Sequence, residues 1–422
     1  MFTSFSSALS ALNAHATAVD VVGNNLANAN TPGYKASTYY FRDLVSQSMR
    51  IGGGETQVGM GTGQPITIRQ FSQGAIQSSG GPLDAAIQGD GFFIVRNIQG
   101  NTLYTRAGSF KLDSAGNLIT ATGERVQGWT STDPITGVVN TSGPIGDVVL
   151  PKGSLQAPKP TTSFNLNLNL DARVEAGAAS AFSTPVEVFD SLGGAHVLTV
   201  TFEKTGPNVW QYTVSIPGSE VSGGTAGSPY PLPGASGTLT FGSDGRLADP
   251  AAGAPVAIDI TGLSSGASDM HLTWDLYTAA NAGRLTQFGQ PSAVSSNQQN
   301  GSPAAQLVRV ELGDGGRILA QYSNGAQVMV GQLALASVVN PEALLSVGNN
   351  AFQLSARTAT PVVGTPGTGG RGEIVGAAIE YSTVDIAREF TNLIMLQRGY
   401  QANSRVITTV DQLSEETINL KR

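Results

Sequence analysis

The sequence contains no cysteine, which excludes disulfides, thiol catalysis and metal sites with Cys ligands. Histidine is scarce as well. His15, His196 and His271 lie far apart and show none of the spacings typical of metal ligands. No pair of carboxylates sits on a recognisable scaffold for acid–base chemistry. We therefore predict no catalytic residue, no bound metal and no cofactor.

Charge is also sparse, because Asp, Glu, Lys and Arg make up 13% of the chain, against about 25% in an average protein. The net charge is −7, and no basic cluster is present that could neutralise phosphates. Nucleic-acid binding is therefore not expected. Glycine is abundant, with 53 residues, which is typical of a turn-rich β protein. A weakly charged surface also tolerates self-association.

Long hydrophobic runs are missing. No segment approaches the roughly 18–20 apolar residues of a membrane-spanning helix, so we predict no membrane insertion. The N-terminal segment lacks the basic and apolar regions of a signal peptide. These features indicate a cytoplasmic protein, or one exported by a route that cleaves no leader.

Helical periodicity is confined to the two ends of the chain. Residues 3–28 and 382–422 carry apolar positions at alternating steps of three and four, the pattern of coiled-coil helices. We call these positions the terminal stripe: Phe5, Leu9, Leu12, Ala16, Val19, Gly23 and Leu26 near the start, then Phe390, Leu393, Gln397, Tyr400, Ser404, Ile407, Val410, Leu413, Thr417 and Leu420. The first of these helices could be an ordinary core helix or a packing helix of an assembly.

Everything between these helices reads as β-structure, and residues 164–171 alternate strictly between apolar and Asn or Asp positions. The predicted fold is mainly β with α-helical termini that form a coiled-coil-like pair, enclosing two nested β domains. The predicted helical domain covers 1–30 and 380–422, and the linkers cover 31–70 and 360–379. The inner β domain covers 71–150 and 284–359. The outer domain, a sandwich or barrel, covers 151–283, with a long exposed loop at 217–236.

Three motifs superficially suggest chemistry. The glycines between residues 52 and 63 lack the Gly-Lys-Ser/Thr that follows a phosphate loop. Residues 113–117 lack the end of a calcium loop and fit a turn instead. Residues 262–266 match the nucleophile-elbow pattern, with Ser264 as the nominal nucleophile, but lack its strand-to-helix context. We interpret all three as loops or turns.

Two strings, one near each end, carry a more specific signal. The first helix is followed by Asn30, Thr31, Pro32, Gly33, Tyr34 and Lys35, and residues 397–405 include Arg398 and Asn403. Both strings resemble signatures of the flagellar rod and hook family of axial proteins. The family more often has Ala or another small residue where this chain has Gly399. Inside a helix, glycine costs about 1 kcal/mol relative to alanine.

Residues 164–171 and 188–193 are similar to the hook members of that family. The resemblance implies a structural subunit of the extracellular flagellum, exported through the type III apparatus without a cleaved signal peptide. It further implies a bendable helical homopolymer that joins rod to filament, transmits torque as a universal joint, and meets rod, hook-cap, junction and export proteins. A distal rod or hook–filament junction protein is the alternative within the family. A β-rich surface adhesin and a serine hydrolase are weaker alternatives outside it.

The terminal stripe supports the assembly hypothesis independently of the resemblance. A single helix pair cannot readily bury apolar stripes of this length, so packing against other copies is expected. Contacts of this kind that do not close on themselves generate helical tubes. We predict an assembly interface on twelve residues: Phe5, Leu9, Leu12, Val19, Leu26, Phe390, Leu393, Gln397, Tyr400, Ile407, Leu413 and Leu420.

Overall fold

A computed structural model describes residues 2–44, 47–51, 54–132, 138–150, 153 and 155–419. The chain divides into two compact units. Unit 1 contains Met1–Lys152, Arg309–Gln321 and Gln327–Arg422. Unit 2 contains Gly153–Val308 and Tyr322–Ala326.

Unit 1 holds both helices of the described chain, α1 (Phe2–Ala27) and α2 (Ile386–Asn419). Asp385 sets the start of α2, because its carboxylate accepts hydrogen bonds from the backbone N–H groups of Ala387 at 2.9 Å and Arg388 at 3.1 Å. The two helices contact each other, and the remaining elements are almost entirely strands. The predicted fold class, mainly β with paired helical termini, is confirmed.

The first part of unit 1 contains twelve strands in its described residues: β1 (Ser37–Tyr40), β2 (Gln47–Ile51), β3 (Gly54–Val58), β4 (Ile66–Arg69), β5 (Ile76–Ser78), β6 (Ala85–Gln88), β7 (Phe92–Arg96), β8 (Thr102–Thr105), β9 (Phe110–Leu112), β10 (Leu118–Thr120), β11 (Arg125–Trp129) and β12 (Gly146–Asp147). Strand β1 pairs with β4, and β2 with β3. The hairpin of β9 and β10 encloses the turn expected at 113–117, where Asp113 accepts the N–H groups of Ala115 and Asn117.

The described part of unit 2 is built from β13 (Leu155–Gln156), β14 (Ser163–Asp171), β15 (Phe182–Phe189), β16 (Ala195–Gly206), β17 (Val209–Pro217), β18 (Pro229–Phe241), β19 (Leu247–Asp249), β20 (Val256–Ile260), β21 (Met270–Trp274), β22 (Leu285–Phe288) and β23 (Ala293–Gln299). Strands β15 to β19 form one sheet in sequence order, and a second sheet joins β14 to β20–β23. One apolar core that includes Phe164, Trp210 and Trp274 draws residues from both sheets. Unit 2 is therefore a β-sandwich.

The chain leaves unit 2 and completes unit 1 through β24 (Ala305–Leu312), β25 (Arg317–Tyr322), β26 (Gln327–Leu333), β27 (Leu335–Ser337), β28 (Leu345–Gly348), β29 (Ala351–Gln353), β30 (Val362–Gly364), β31 (Glu373–Gly376) and β32 (Ala378–Glu380). Strand β7 is central to unit 1, since it pairs with β8, β11 and β27. Aromatic residues Phe92, Tyr104, Trp129 and Phe352 form the core beside it.

Three boundaries differ from the sequence-based expectation. The return to the inner domain, predicted at 284, comes after Val308, because β22 and β23 pair with β14. Residues 31–70 and 360–379, predicted as linkers, contain paired strands; β30, β31 and β32 pair with β27, β6 and β5. The loop predicted at 217–236 is shorter, since β18 begins at Pro229 and pairs with β17.

Candidate assembly interface

The helix pair is held by a small apolar cluster between α1 and α2. Ala18 and Val22 of α1 and Leu396 of α2 are 0%, 0% and 4% exposed and form one cluster. His15, which precedes Ala18 on α1, lies against Gly399, which follows Leu396 on α2. The two helices therefore run antiparallel. Alanine on α1 allows the helices to approach closely, because it projects little beyond the backbone.

The buried line of the pair runs beside the terminal stripe rather than along it. On α1 the buried residues are Ala8, Ala14, Ala18, Val22 and Asn25. From Ala18 onward, each buried residue lies one position before a residue of the terminal stripe: Ala18 before Val19, Val22 before Gly23 and Asn25 before Leu26. On α2, buried Leu396 likewise lies one position before Gln397. The sequence pattern thus gave the correct period, but the face that closes the pair lies one position earlier.

Most of the terminal stripe therefore remains accessible on the helix pair. The side chains of Leu12, Val19, Leu26, Leu393 and Ile407 are partly buried. Gln397 is exposed, and large apolar side chains are 41–52% exposed at Phe5, Leu9, Phe390, Tyr400 and Leu413. Leu420 lies outside the described residues. A groove of about 310 Å³ follows the stripe between the helices, lined by Ala16, Val19, Asp20, Gln397, Tyr400 and Gln401.

Gly399 makes room for the imidazole of His15. A Cβ at position 399 would lie 2.6 Å from Cε1 of His15. The ring also packs against Phe41 with ring centroids 5.2 Å apart, and its Nδ1 has no hydrogen-bond partner among the described residues. Burial lowers the pKa of His15, which favours the neutral ring at this contact.

The Asn-Thr-Pro-Gly-Tyr-Lys string after α1 turns the chain onto the β part of unit 1. Gly33 has φ of 70°, and a Cβ there would lie 2.7 Å from the backbone nitrogen of Ala107. The carbonyl of Pro32 accepts a hydrogen bond from the side chain of Asn350 at 2.9 Å. Thr31 donates to Asn28 at 3.2 Å, whereas Asn30 is exposed.

Lys35, the last residue of this string, belongs to a buried ionic group. We call this group, which consists of Lys35, Arg106 and Glu380, the junction cluster. Lys35 Nζ lies 2.6 Å from Glu380 Oε1, and Arg106 lies 3.5 Å from Glu380 Oε2, with all three side chains at most 3% exposed. Lys35 also donates to the carbonyl of Ser72 at 2.6 Å. The Gly74 N–H donates to Glu380 Oε1 at 2.7 Å.

The junction cluster holds two buried cations and one buried carboxylate. Burial lowers the pKa of Lys35, although the hydrogen bond and charge of Glu380 oppose this shift. Burial also lowers the pKa of Arg106, although the charge of Glu380, which lies 3.5 Å from its Nη1, opposes this shift. The carboxylate of Glu380 is therefore the group that makes burial of both cations tolerable.

Backbone contacts join the same two chain segments. The N–H of Gly33 donates to the carbonyl of Glu380 at 2.8 Å, and the N–H of Thr383 donates to the carbonyl of Tyr34 at 3.1 Å. The end of α1 is secured by Asn25, whose side chain donates to the carbonyl of Ser37 at 2.8 Å and accepts its N–H at 2.9 Å. The exit of α1 and the entry to α2 are thus fixed to each other.

The two family strings are not brought together by the structure. Arg398 is exposed on α2, and Asn403 donates from its side chain to the carbonyl of Gly399 at 2.9 Å within the same helix. Sequence reasoning missed Glu380, Arg106 and Asn25. Glu380 and Arg106 contact distant segments of the chain, and the sequence around them resembles that of surface residues. For Glu380 one local signal exists, because it is the charged residue of the otherwise apolar strand β32 (Ala378–Glu380).

The sites considered for other chemistry take ordinary structural roles. Ser264 donates to the carbonyl of Ser219 at 3.2 Å and sits in the loop between β20 and β21. The described residues contain no group of His, Asp or Glu arranged to hold a metal ion. In the same part of the chain, no helix is long and apolar enough to cross a membrane.

Family comparisons cover both ends and the middle of the chain. Residues 5–35 match the family described as flagella basal body rod protein, and 375–420 match the flagellar basal body rod FlgEFG protein C-terminal family. Residues 86–169 match the flagellar hook protein FlgE/F/G D1 domain, and 169–302 match the flagellar basal body protein FlaE D2 domain. The four descriptions name rod and hook proteins alike, so these matches alone do not distinguish a rod protein from a hook protein.

Full-length relatives narrow the assignment. The flagellar hook protein FlgE of Borreliella burgdorferi is 34% identical over 447 residues, covering 100% of both chains. FlgE of Escherichia coli is 32% identical, covering 99% of this chain and 100% of that protein. The chain belongs to the flagellar hook protein FlgE family. As a FlgE family member it is a structural subunit of the bacterial flagellar hook, and not an enzyme.

A solved structure shares the fold. The crystal structure of Helicobacter pylori flagellar hook protein FlgE2 superposes with a TM-score of 0.51, covering 71% of this chain and 99% of that chain at 14% identity. At this identity the likeness concerns the fold alone.

The contact of Gly399 with His15 leads to a first prediction. Replacing a helical glycine by alanine normally stabilises by about 1 kcal/mol. For Gly399→Ala we expect no gain, or a loss of about 1 kcal/mol, because the new methyl group meets the ring. In a His15→Ala background the same substitution should become stabilising. Urea unfolding followed by the helical circular dichroism signal measures both effects.

Gly23→Ala is the matched control, since Gly23 also lies in a helix but has open space among the described atoms where its Cβ would be. It should stabilise by about 1 kcal/mol in either background. If Gly399→Ala stabilises as much as Gly23→Ala while His15 is present, the contact does not restrict position 399.

The junction cluster gives a second prediction, based on its charge balance. Glu380→Gln leaves two buried cations without an anion and should destabilise by about 3–5 kcal/mol. Lys35→Met leaves one cation and one anion, so it should cost less. Glu311→Gln, which removes a partly exposed ion pair with Arg309, should change stability by less than about 1 kcal/mol. Urea unfolding measures all three, and an equal or larger cost for Lys35→Met would contradict this account.

Proposed function

We propose that this chain polymerises into the hook through the terminal stripe of its helix pair. The carrying observation is that α1 and α2 meet through Ala18, Val22 and Leu396 and leave most of the stripe accessible. Of the described stripe residues, only Val19, Leu26 and Leu393 pack against this cluster. Five large apolar side chains of the stripe are 41–52% exposed. Exposing this apolar surface to water is unfavourable. Packing of neighbouring copies onto it removes that surface from water.

The groove supplies a recess for this packing. Its walls combine small side chains, such as Ala16, with one large aromatic side chain, Tyr400. Projecting residues of a neighbouring copy can enter the recess as knobs enter holes between helices. Phe5, Leu9, Phe390 and Leu413 are the projecting residues that the stripe offers. In this proposal the contact joins different surfaces of two copies and its rotation does not close a ring, so it repeats and produces a tube.

The junction cluster gives the tube a route for force. It ties the exit of α1 and the entry of α2 to the inner β strands by buried ionic and hydrogen bonds. Torque applied to the packed helices is therefore passed to unit 1 through several short contacts instead of one flexible linker. In this proposal the tube bends and joins rod to filament, and its ends meet rod, cap and junction proteins.

The same proposal includes export without a cleaved signal peptide. An export channel passes chains that are not yet folded, and the weak helix-forming composition of α1, rich in Ser, Asn and Thr, suits a segment that passes the channel unfolded and folds against α2 afterwards. No disulfide can form outside the cell, since the sequence contains no cysteine. Detection of the intact N-terminus on secreted subunits would test this element.

Polar substitutions in the terminal stripe provide a third prediction. The double variant Leu9→Ser with Tyr400→Ser should lose tube formation, because both side chains are exposed in the single chain and contact other copies only in the polymer. Its unfolding free energy should stay within about 1 kcal/mol of the unmodified chain. Electron microscopy and sedimentation of purified subunits measure assembly.

The matched control is Ile98→Ser, which removes an apolar side chain that is 94% exposed and lies away from the helices in sequence. It should form normal tubes. Normal tubes from the Leu9→Ser, Tyr400→Ser variant would place the assembly contact elsewhere and overturn the proposal.

A further inference from the structure

The terminal helices carry few charges, and one acidic side chain stands in the groove between them. Asp20 is the only Asp, Glu, Lys or Arg residue of α1, and no Lys or Arg precedes Lys35 in the sequence. Asp20 is exposed and lines the groove together with Val19 and Tyr400. A neighbouring copy that packs into the groove removes water from this carboxylate.

A carboxylate that loses its water needs a cation, because burying an unpaired charge is strongly unfavourable. No ion pair among the described residues includes Asp20. On a helix, the side chains three and four positions away are the ones within reach. Around Asp20 these are all uncharged: Ala16, Thr17, Gly23 and Asn24. The cation therefore has to come from the copy that packs into the groove.

Two exposed arginines on α2 are unpaired in the same way. Arg398 and Arg405 take part in no ion pair among the described residues. Their neighbours at helical spacing are also uncharged: Ile394, Met395, Gln401, Ala402, Thr408 and Thr409. The two arginines are seven residues apart, so they lie on one side of α2, and each follows a polar stripe residue, Gln397 or Ser404. We call them the arginine edge.

The other charged residues of α2 do not change this balance. Its remaining cation, Arg388, lines a polar pocket of about 300 Å³ together with Asp385 and Glu389, so carboxylates accompany it. The acidic residues after the arginine edge begin six positions beyond Arg405, outside the spacing of helical ion pairs: Asp411, Glu415 and Glu416. The arginine edge is therefore a cationic surface that its own helix does not neutralise.

The antiparallel arrangement of the helices keeps Arg405 away from Asp20 of the same copy. His15 lies against Gly399 and marks one level of the pair. Arg405 is six residues beyond Gly399, and Asp20 is five residues beyond His15 in the opposite direction. At a rise of about 1.5 Å per residue, the two positions are about 16 Å apart along the helix axis. A contact between Asp20 and Arg405 therefore joins two copies.

We propose that Asp20 of one copy forms an ion pair with the arginine edge of a neighbouring copy. This inference rests on the proposed function, because the pair forms only where a neighbour packs on the terminal stripe. A guanidinium group binds a carboxylate with defined geometry. Charges beside an apolar stripe also set which helices pair and in which register. The ion pair therefore fixes the register of a contact that apolar side chains alone define loosely.

Charge exchange between subunits tests the pair. Asp20→Arg places like charges at the contact, and so does the double variant Arg398→Asp with Arg405→Asp. Each variant alone should need at least about a tenfold higher subunit concentration to form tubes, measured by sedimentation and electron microscopy. An equal mixture of the two should form tubes near the concentration of the unmodified chain, since the new arginine of one meets the new aspartates of the other. Mixing cannot restore a pair that lies within one copy.

Asp244→Arg and Arg246→Asp are the matched controls, since these side chains of unit 2 are 64% and 80% exposed. Each control should form tubes at the ordinary concentration, and the urea midpoint of every variant should match that of the unmodified chain. Normal tubes from Asp20→Arg alone, or a mixture that fails to restore tubes, would overturn the ion pair. Failure of the proposed function is a different result, namely normal tubes from the Leu9→Ser, Tyr400→Ser variant.

Discussion

The carboxylate of Glu380 is the point on which unit 1 depends. It is fully buried between Lys35, shortly after α1, and Arg106 from the inner strands, and it lies six residues before α2. A buried carboxylate with two cationic partners fixes its surroundings strictly, because losing any member leaves an uncompensated charge. The exit of the first helix and the entry of the last are therefore held at one place.

This constraint explains the helix pair. Two helices that leave one anchored point can run beside each other, and alanines on α1 with a glycine at 399 let them approach closely. Val19, Leu26 and Leu393 of the terminal stripe pack against this contact, whereas its other large apolar residues, such as Leu9 and Phe390, remain exposed. The geometry that stabilises the single chain thus prepares the surface on which further copies can pack.

Sequence reasoning recovered the parts of this structure that have a period or a composition. The helical termini follow from steps of three and four, and the buried face of β14 follows from its alternation. The face of the helix pair was displaced by one residue, because small residues close the pair and the pattern was judged on large ones. Glu380 and Arg106 depend on contacts between distant segments, which no local pattern encodes. The return of the chain at Val308 was missed for the same reason, since pairing of β22 and β23 with β14 is not local.

The central claim is that the terminal stripe is exposed in the free subunit and covered in the polymer. Because the chain has no cysteine, a single Ala16→Cys variant gives one thiol in the wall of the groove with little change in size, and its labelling rate reports its own exposure. The rate of maleimide labelling should be high in free subunits and fall at least about tenfold in assembled tubes, while an Ile98→Cys control labels at similar rates in both. Equal labelling of Ala16→Cys in free subunits and intact tubes would contradict the account.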